Sequence, residues 1–255
     1  MSTKHTIVVT GANRGIGLGI IHLLAKTPHH PPLSIHATSR SGTDLDIQAL
    51  HGNSVIYSAL DITSRDSILD FLQTIVGTPV NVLINNAGIN NNPRETHSLA
   101  WVGGGTVLGK REAAIEAIEV NYHGTKRMCD MFLTHADMAN ANGTTARIVN
   151  VSSTASQLSN YAPSIQSRFR SASSIRDIDD LAASYLSGQD EGWGAPPKSY
   201  QVSKALVNAL TVVLAREYPG VMVNCCCPGW VDTRMGRQVG VPGKRMEEGA
   251  RIPVR

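Results

Sequence analysis

The sequence predicts an α/β fold: a doubly wound parallel sheet flanked by helices, in a single domain spanning residues 1–255. Three observations predict it. Short apolar runs alternate with stretches whose apolar residues recur at helical spacing. Glycine, Asn and Asp gather where the apolar runs end, which is where open α/β sheets bind ligands. The length of 255 residues suits one large domain of this class, and neither a repeat nor a second such series is present.

The elements follow in order. Residues 5–10 (HTIVVT) read as the first strand and 15–26 as the first helix, stopped before Pro28. Residues 34–38 and 54–59 read as the second and third strands. Over 64–76, Ile68, Leu69, Leu72, Ile75 and Val76 repeat at helical spacing. Residues 80–85 form the fourth strand. The stretch 89–110, rich in Asn and Gly, reads as a long surface loop, and 111 to about 139 as helix. Residues 146–152 (ARIVNVS) are the fifth strand. The Ser-rich stretch 154–199 carries one helix: Ile175, Ile178, Leu181, Ala182 and Tyr185 form an apolar face, Ser174 suits its N-cap and Gly188 its stop. Residues 200–218 are helical, ended by Pro219-Gly220, and 221–227 are the sixth strand.

Composition excludes several classes. The net charge of +3, with acids and bases mixed, gives no footprint for nucleic acid. The four cysteines, three of them consecutive at 225–227, match neither a disulfide framework nor a zinc spacing, so no metal site is expected. They suit a reducing, cytoplasmic compartment. The first ten residues already resemble a strand rather than a signal peptide, and no apolar run reaches the ~20 residues that span a bilayer.

The first strand runs into Thr10-Gly11-Ala12-Asn13-Arg14-Gly15-Ile16-Gly17. Strand, glycines, then helix is a Rossmann-type arrangement: backbone approaches a pyrophosphate closely, and the helix offers free N–H groups. A ligand-free glycine turn is the competing account. After the second strand, an acid would select the ribose hydroxyl of NAD. Here Ser39-Arg40-Ser41 stands instead, with Arg14 as a second cation. Two guanidiniums and two hydroxyls suit a 2′-phosphate, hence NADP(H), unless both arginines are merely solvated. Asp61-Ile62 after the third strand offers a carboxylate to adenine. Asn86, Ala87 and Gly88 after the fourth admit close approach, although Asx and Gly also favour plain turns.

Tyr200 and Lys204 lie one helical turn apart on one face. A free tyrosine titrates near about 10, and a nearby ammonium lowers that value toward useful acid–base chemistry. The pair alone is common by chance. Its company is Thr10-Gly-x-x-x-Gly-x-Gly17, Asn85-Asn-Ala-Gly88, Ser152-Ser153 and Pro228-Gly229, in that order. Together these resemble the short-chain dehydrogenase/reductase family along essentially the whole chain. The long insert before Tyr200, with Val149-Asn-Val-Ser-Ser153 and Cys226-Cys-Pro-Gly-Trp-Val231, looks most like its monomeric carbonyl reductase branch.

The resemblance implies these roles. Tyr200 moves the proton, Ser153 binds the carbonyl oxygen, and Lys204 lowers the Tyr200 pKa and holds the nicotinamide ribose. Asn121 supports a water linked to Lys204. Pro228, Gly229, Val231 and Thr233 cup the nicotinamide. The implied reaction is NADPH-dependent reduction of a small-molecule ketone, aldehyde or quinone. A catalytically impaired NADPH-binding relative and an alcohol dehydrogenase working in oxidation are the alternatives. The inserted helix is expected to cover the surface through which many members pair, giving a monomer. Trp193 and Trp230 are expected to wall an apolar substrate pocket, against plain packing. Family chains generally continue past the segment resembling Glu247-Glu-Gly-Ala-Arg-Ile-Pro253 into a further strand, whereas this sequence stops at Arg255, an expected cost to stability and activity.

Overall fold

The computed structural model describes residues 4–91, 110–136, 138, 145–188, 190–194 and 198–254. Most of the loop expected over 89–110 lies outside them. Six strands form one parallel sheet: β1 (His5–Thr10), β2 (Leu33–Ser39), β3 (Ser54–Ala59), β4 (Val80–Asn85), β5 (Arg147–Val151) and β6 (Met222–Cys226). Their order is β3-β2-β1-β4-β5-β6. Each strand lies within a residue of its expected bounds. The chain winds outward from β1 in both directions, β1 pairing with β2 on one side and β4 on the other. The crevice beyond the carboxyl ends of β1 and β4 is therefore the switch point where such sheets bind ligands.

Alternation along the strands builds two cores. Val8 and Leu83 face a large core with helices α2 (Arg65–Thr74), α4 (Thr125–His135) and α7 (Ser199–Glu217). Val9 and Ile84 face the other core, with α1 (Gly15–Lys26) and the end of α8 (Met246–Ala250). The period-2 geometry of strands sends neighbouring side chains to opposite faces, so hydrophobic runs are buried on both sides.

Three helical expectations need correction. The repeat over 64–76 ends at Thr74, and Ile75, past the helix, still fills the core. The helix expected over 111–139 is interrupted: α3 (Lys110–Ile118) passes through a π turn, Glu119–Gly124, before α4. An apolar pattern does not distinguish a one-residue slip in hydrogen bonding. Residues 154–199 hold two helices rather than one. The unexpected α5 (Pro163–Ser171) starts with Pro at its first position and buries Ile165 and Phe169 at i, i+4 spacing. Two apolar residues among serines and arginines were too thin a stripe to read. The expected α6 (Ile175–Ser187) is capped by Ser174, whose side chain accepts from Asp177 N while Asp177 bonds back, and ends on Gly188 at φ 67°. Its Ile178, Leu181 and Ala182 are buried against the body, where it packs on α3 and α7.

Candidate active site

The turn after β1 is held by β4. Thr10 Oγ1 accepts from Asn86 N and Ala87 N, both at 3.0 Å, and Asn86 Nδ2 donates to Thr10 O and Gly11 O. Gly11, at φ 63°, lies so close to Ala87 that a Cβ would stand 2.9 Å from its Cα. A Cβ on Gly17 would overlap the Gly11 carbonyl oxygen and the Asn86 amide. Thus Gly11 and Gly17 let α1 begin directly against the turn. Helix α1 begins at Gly15 with no side-chain cap bond from Arg14 and no acid in its first turn, so its dipole is not offset by protein charge there. Gly15 faces Thr233, with a Cβ position 3.4 Å from the Thr233 methyl, bringing the segment after β6 to the same place.

Of the 2′-phosphate candidates, Ser39, Arg40 and Ser41 stand at the end of β2 and Arg14 in the turn after β1. Ser39, Ser41 and Thr43 hydroxyls form a chain at 3.4 and 2.8 Å, and Gly42 N donates to Ser39 Oγ. Arg14 and Arg40 are exposed, and among the described residues their guanidiniums make no ion pair. Ala12, Asn13, Ala37, Ser39, Thr43, Leu45 and Tyr57 line a narrow crevice beside this hydroxyl chain. Glycines that admit close backbone approach, an uncapped helix start and uncommitted guanidiniums fit a phosphorylated dinucleotide. Asp61 shows the turn chemistry weighed against it: Oδ1 accepts from Thr63 N and Oγ1. The Ile62 side chain packs inward against Gly124 of the π turn, so only its backbone is left for a ligand.

The residues expected to handle the proton converge beside this crevice. Ser153 follows β5, caps a short 3₁₀ turn through Ala155 N, and its hydroxyl hydrogen-bonds the Tyr200 phenol. Its neighbour Ser152 is occupied elsewhere, donating to Asn208 Oδ1 at 2.6 Å. Lys204, 6% exposed, donates to Val151 O at 2.7 Å with its ammonium 5.9 Å from the Tyr200 ring centroid. A Cβ on Gly88 would lie 3.0 Å from Asn121 Oδ1 and 3.6 Å from Lys204 Nζ, so β4, the π turn and α7 meet there. Asn121, 0% exposed, bonds Ile89 through both its amide atoms and donates to Ser203 Oγ.

Electrostatics modify the expectation for Tyr200. Burial lifts its pKa above the usual phenol value, with the Ser153 hydroxyl acting the other way, so Lys204 does not set it low in this arrangement. Lys204 is itself perturbed: burial lowers its pKa to about 8, against an opposing pull from the Cys226 and Cys227 thiols. Cys227 Sγ accepts from Thr154 N and Gly229 N, bracing the turn that carries Pro228 and Gly229. Val231 is buried and abuts Gly249.

The two tryptophans part company. Trp193, 6% exposed, lies edge-on to Tyr161, Phe169 and Tyr185, so it packs the insert rather than walling an open pocket. Trp230 is 46% exposed, fixed by Nε1 donating to Gly236 O. Sequence reasoning missed Thr10, Ile89 and Ser203 as organisers of the site. Thr10 opens the glycine motif and was legible there, whereas Ile89 acts through its backbone, which no side-chain pattern announces.

Residues 5–165 match the family model for short chain dehydrogenase, and residues 181–255 match a model described as enoyl-(acyl carrier protein) reductase. The chain belongs to the short-chain dehydrogenase/reductase family and is an oxidoreductase. It is 34% identical to a (+)-neomenthol dehydrogenase of Arabidopsis thaliana, covering 99% of this chain and 91% of that one. It is 32% identical to the NADPH carbonyl reductase 3 of Rattus norvegicus, over 99% and 90%. Among solved structures, salutaridine reductase from Papaver somniferum superposes at TM-score 0.74 with 26% identity, covering 99% of this chain and 95% of that one. An NADPH-bound carbonyl reductase from chicken fatty liver gives 0.62 and 26%, over 98% and 85%.

Proposed function

We propose that this oxidoreductase reduces a ketone, aldehyde or quinone carbonyl to the alcohol, with NADP(H) as cofactor. The observation that carries the reading is the meeting of Ser153, Tyr200 and Lys204, with Asn121 beside them, next to the glycine cradle. The NADPH named for the rat and chicken relatives supports the cofactor.

Gly11, Asn13, Gly15, Ile16 and Gly17 hold the pyrophosphate, and Arg14 and Arg40 with the Ser39 and Ser41 hydroxyls hold the 2′-phosphate. The free oxygen of Asp61 and the Ile62 backbone serve adenine. Asn86, Ala87 and Gly88 line the middle of the crevice, and Pro228, Gly229, Val231 and Thr233 serve the nicotinamide end. NADPH, when bound, supplies the hydride. The chain's own groups polarise and protonate. Ser153 and Tyr200 donate to the substrate oxygen, and Tyr200 transfers its proton as that oxygen gains charge. Lys204 holds the ribose and leaves a cation beside the phenolate that forms. The Asn121 carboxamide is consumed by Ile89 and Ser203, so a water on the way to Lys204 falls to its main-chain carbonyl in the π turn. The same groups run the oxidation in reverse. Trp230 offers an apolar lip to a bulky substrate. The burial of the α6 apolar face on its own body supports a monomer, and the free thiols suit the cytoplasm.

The test is oxidation of NADPH and NADH, followed optically, with quinones, aldehydes and keto esters. Tyr200→Phe is expected to lose about 10²–10⁴-fold in turnover while still binding NADPH. Arg40→Ala is expected to weaken NADPH far more than NADH. Full activity in Tyr200→Phe, or equal losses for the two cofactors in Arg40→Ala, refutes the corresponding role.

A further inference from the structure

The Asn121 carboxamide makes three hydrogen bonds in a site with no solvent exposure. Oδ1 accepts from Ile89 N at 2.8 Å, and Nδ2 donates to Ile89 O and to Ser203 Oγ, both at 2.9 Å. Ile89 presents one N–H and one C=O, so the amide has a single workable orientation. Its second N–H must then point at Ser203, which accepts. Ser203 is also 0% exposed, and it donates to Tyr200 O at 2.8 Å. A hydroxyl has one proton, so the direction of every bond in the chain is settled. A serine bonding back to the carbonyl three residues earlier is ordinary helix behaviour. Accepting at the same time from a buried amide on another element is not.

We propose that Ser203 is a positioning residue whose hydroxyl locks the Asn121 carboxamide to the Tyr200 main chain and so keeps the proton-handling groups in register. The proposal rests on the reading of Asn121, Tyr200 and Lys204 as that machinery. One oxygen joins three segments: the stretch after β4 through Ile89, the π turn through Asn121 and the first turn of α7. Lys204 is the next residue, and Gly88 packs between its ammonium and Asn121. Without the hydroxyl, one fully buried amide proton loses its acceptor, and the π turn is released from α7 where Lys204 must face Asn121. Ser203 has no exposed surface for a ligand to touch, so the defect belongs in the chemical step rather than in binding.

The experiment compares Ser203→Ala, Ser203→Cys and Ser203→Thr in the full chain. Steady-state kinetics and the pH profile of kcat are read, together with amide hydrogen exchange at Ile89 without ligand. Ala and Cys are expected to lower kcat about 10- to 100-fold, with KM and NADPH affinity held within about twofold. The pH profile shifts in both, and Ile89 exchanges faster. Thr, which keeps the hydroxyl, restores kcat and Ile89 protection. Cys keeps the shape of Ser, but its larger thiol hydrogen-bonds only weakly, so full recovery of kcat in Cys would mean that packing rather than the hydroxyl's bonds matters and overturn the proposal. Unchanged kcat in Ala, or unchanged Ile89 exchange in Ala and Cys, overturns it as well. If Thr is too large to fold there, the Ala and Cys pair still decides. If the wild type turns over no carbonyl compound, the proposed function fails on its own, and Ile89 exchange still tests the lock.

Discussion

Burying the charge of Lys204 costs the protein stability, and replacing it by Met should reveal how much. Its ordinary pKa of 10.5 is lowered by burial to about 8. That difference of about 2.5 units corresponds to about 3 kcal/mol of penalty on the charged form at neutral pH. Met fills a similar volume without the charge but leaves Val151 O without the 2.7 Å bond it now accepts. Losing that bond takes back about 1–2 kcal/mol. Lys204→Met should therefore be more stable than the wild type at pH 7 by about 1–2 kcal/mol. For chains of about this length that is roughly 2–8 °C in Tm.

The pH dependence separates this account from ordinary repacking. The folded-state pKa lies below the unfolded one, so below about pH 8 both states are protonated and the penalty is complete. Between about 8 and 10.5 the folded state releases its proton first, and the wild type regains stability. The buried thiol of Cys129, the half-buried thiol of Cys226 and the buried tyrosines Tyr122 and Tyr161 work the other way at alkaline pH, since burial raises their pKa values. Cys129 and the tyrosines are common to both proteins, while Cys226 and Lys204 shift each other, so the difference between the two unfolding curves, measured in a Cys226→Ala background, isolates Lys204. Chemical denaturation from pH 7 to 10.5 should show the advantage of Met shrinking to nothing or reversing. A Met variant less stable at pH 7, or an advantage that does not change with pH, refutes a buried-charge penalty.

Three further outcomes are expected. Gly17→Ala places a Cβ into Gly11 O and the Asn86 amide, so it should destabilise by about 1–3 kcal/mol and abolish NADPH binding, checked by melting and titration. Burial lowers the His36 pKa and leaves Nδ1 without a partner, so stability should fall as pH drops below 6.5, where the unfolded chain binds the proton first. His36→Leu should flatten that acid limb in urea titrations at pH 5 and 7. Asp179 accepts from Tyr122 Oη at 2.8 Å and from Lys126 at 2.6 Å, pinning α6 to the π turn. Asp179→Ala orphans a buried phenol, and limited proteolysis should cut the insert sooner; an unchanged cutting rate counts against that pin.

Strands and the glycine turn were legible because their physics is local. Alternation places Val8 and Val9 on opposite faces whatever follows, and Thr10 to Gly17 can make a tight strand–helix turn without help. The N-cap Ser174 and the stop Gly188 were legible for the same reason. What sequence could not give were relations between segments. Trp193 looked like a pocket wall because it precedes Tyr200, yet α5, whose apolar residues are only Ile165 and Phe169, supplies part of the aromatic cluster that buries it. The π turn left no periodic trace, although it carries Asn121.

The pKa relation ran opposite to expectation for a related reason. Spacing put Lys204 one turn from Tyr200, but spacing says nothing of how much water either retains. In the fold both are withdrawn from solvent, so each resists charge: the phenol is held protonated and the amine titrates near 8. In the proposed reaction a neutral Tyr200 is the form that proton donation to a carbonyl requires at its start, and Lys204, still largely protonated at neutral pH, is the cation that stands beside the phenolate at its end. On the proposed function, the burial that weakens the fold at Lys204 is the same burial that keeps the Tyr200 proton available for a substrate oxygen.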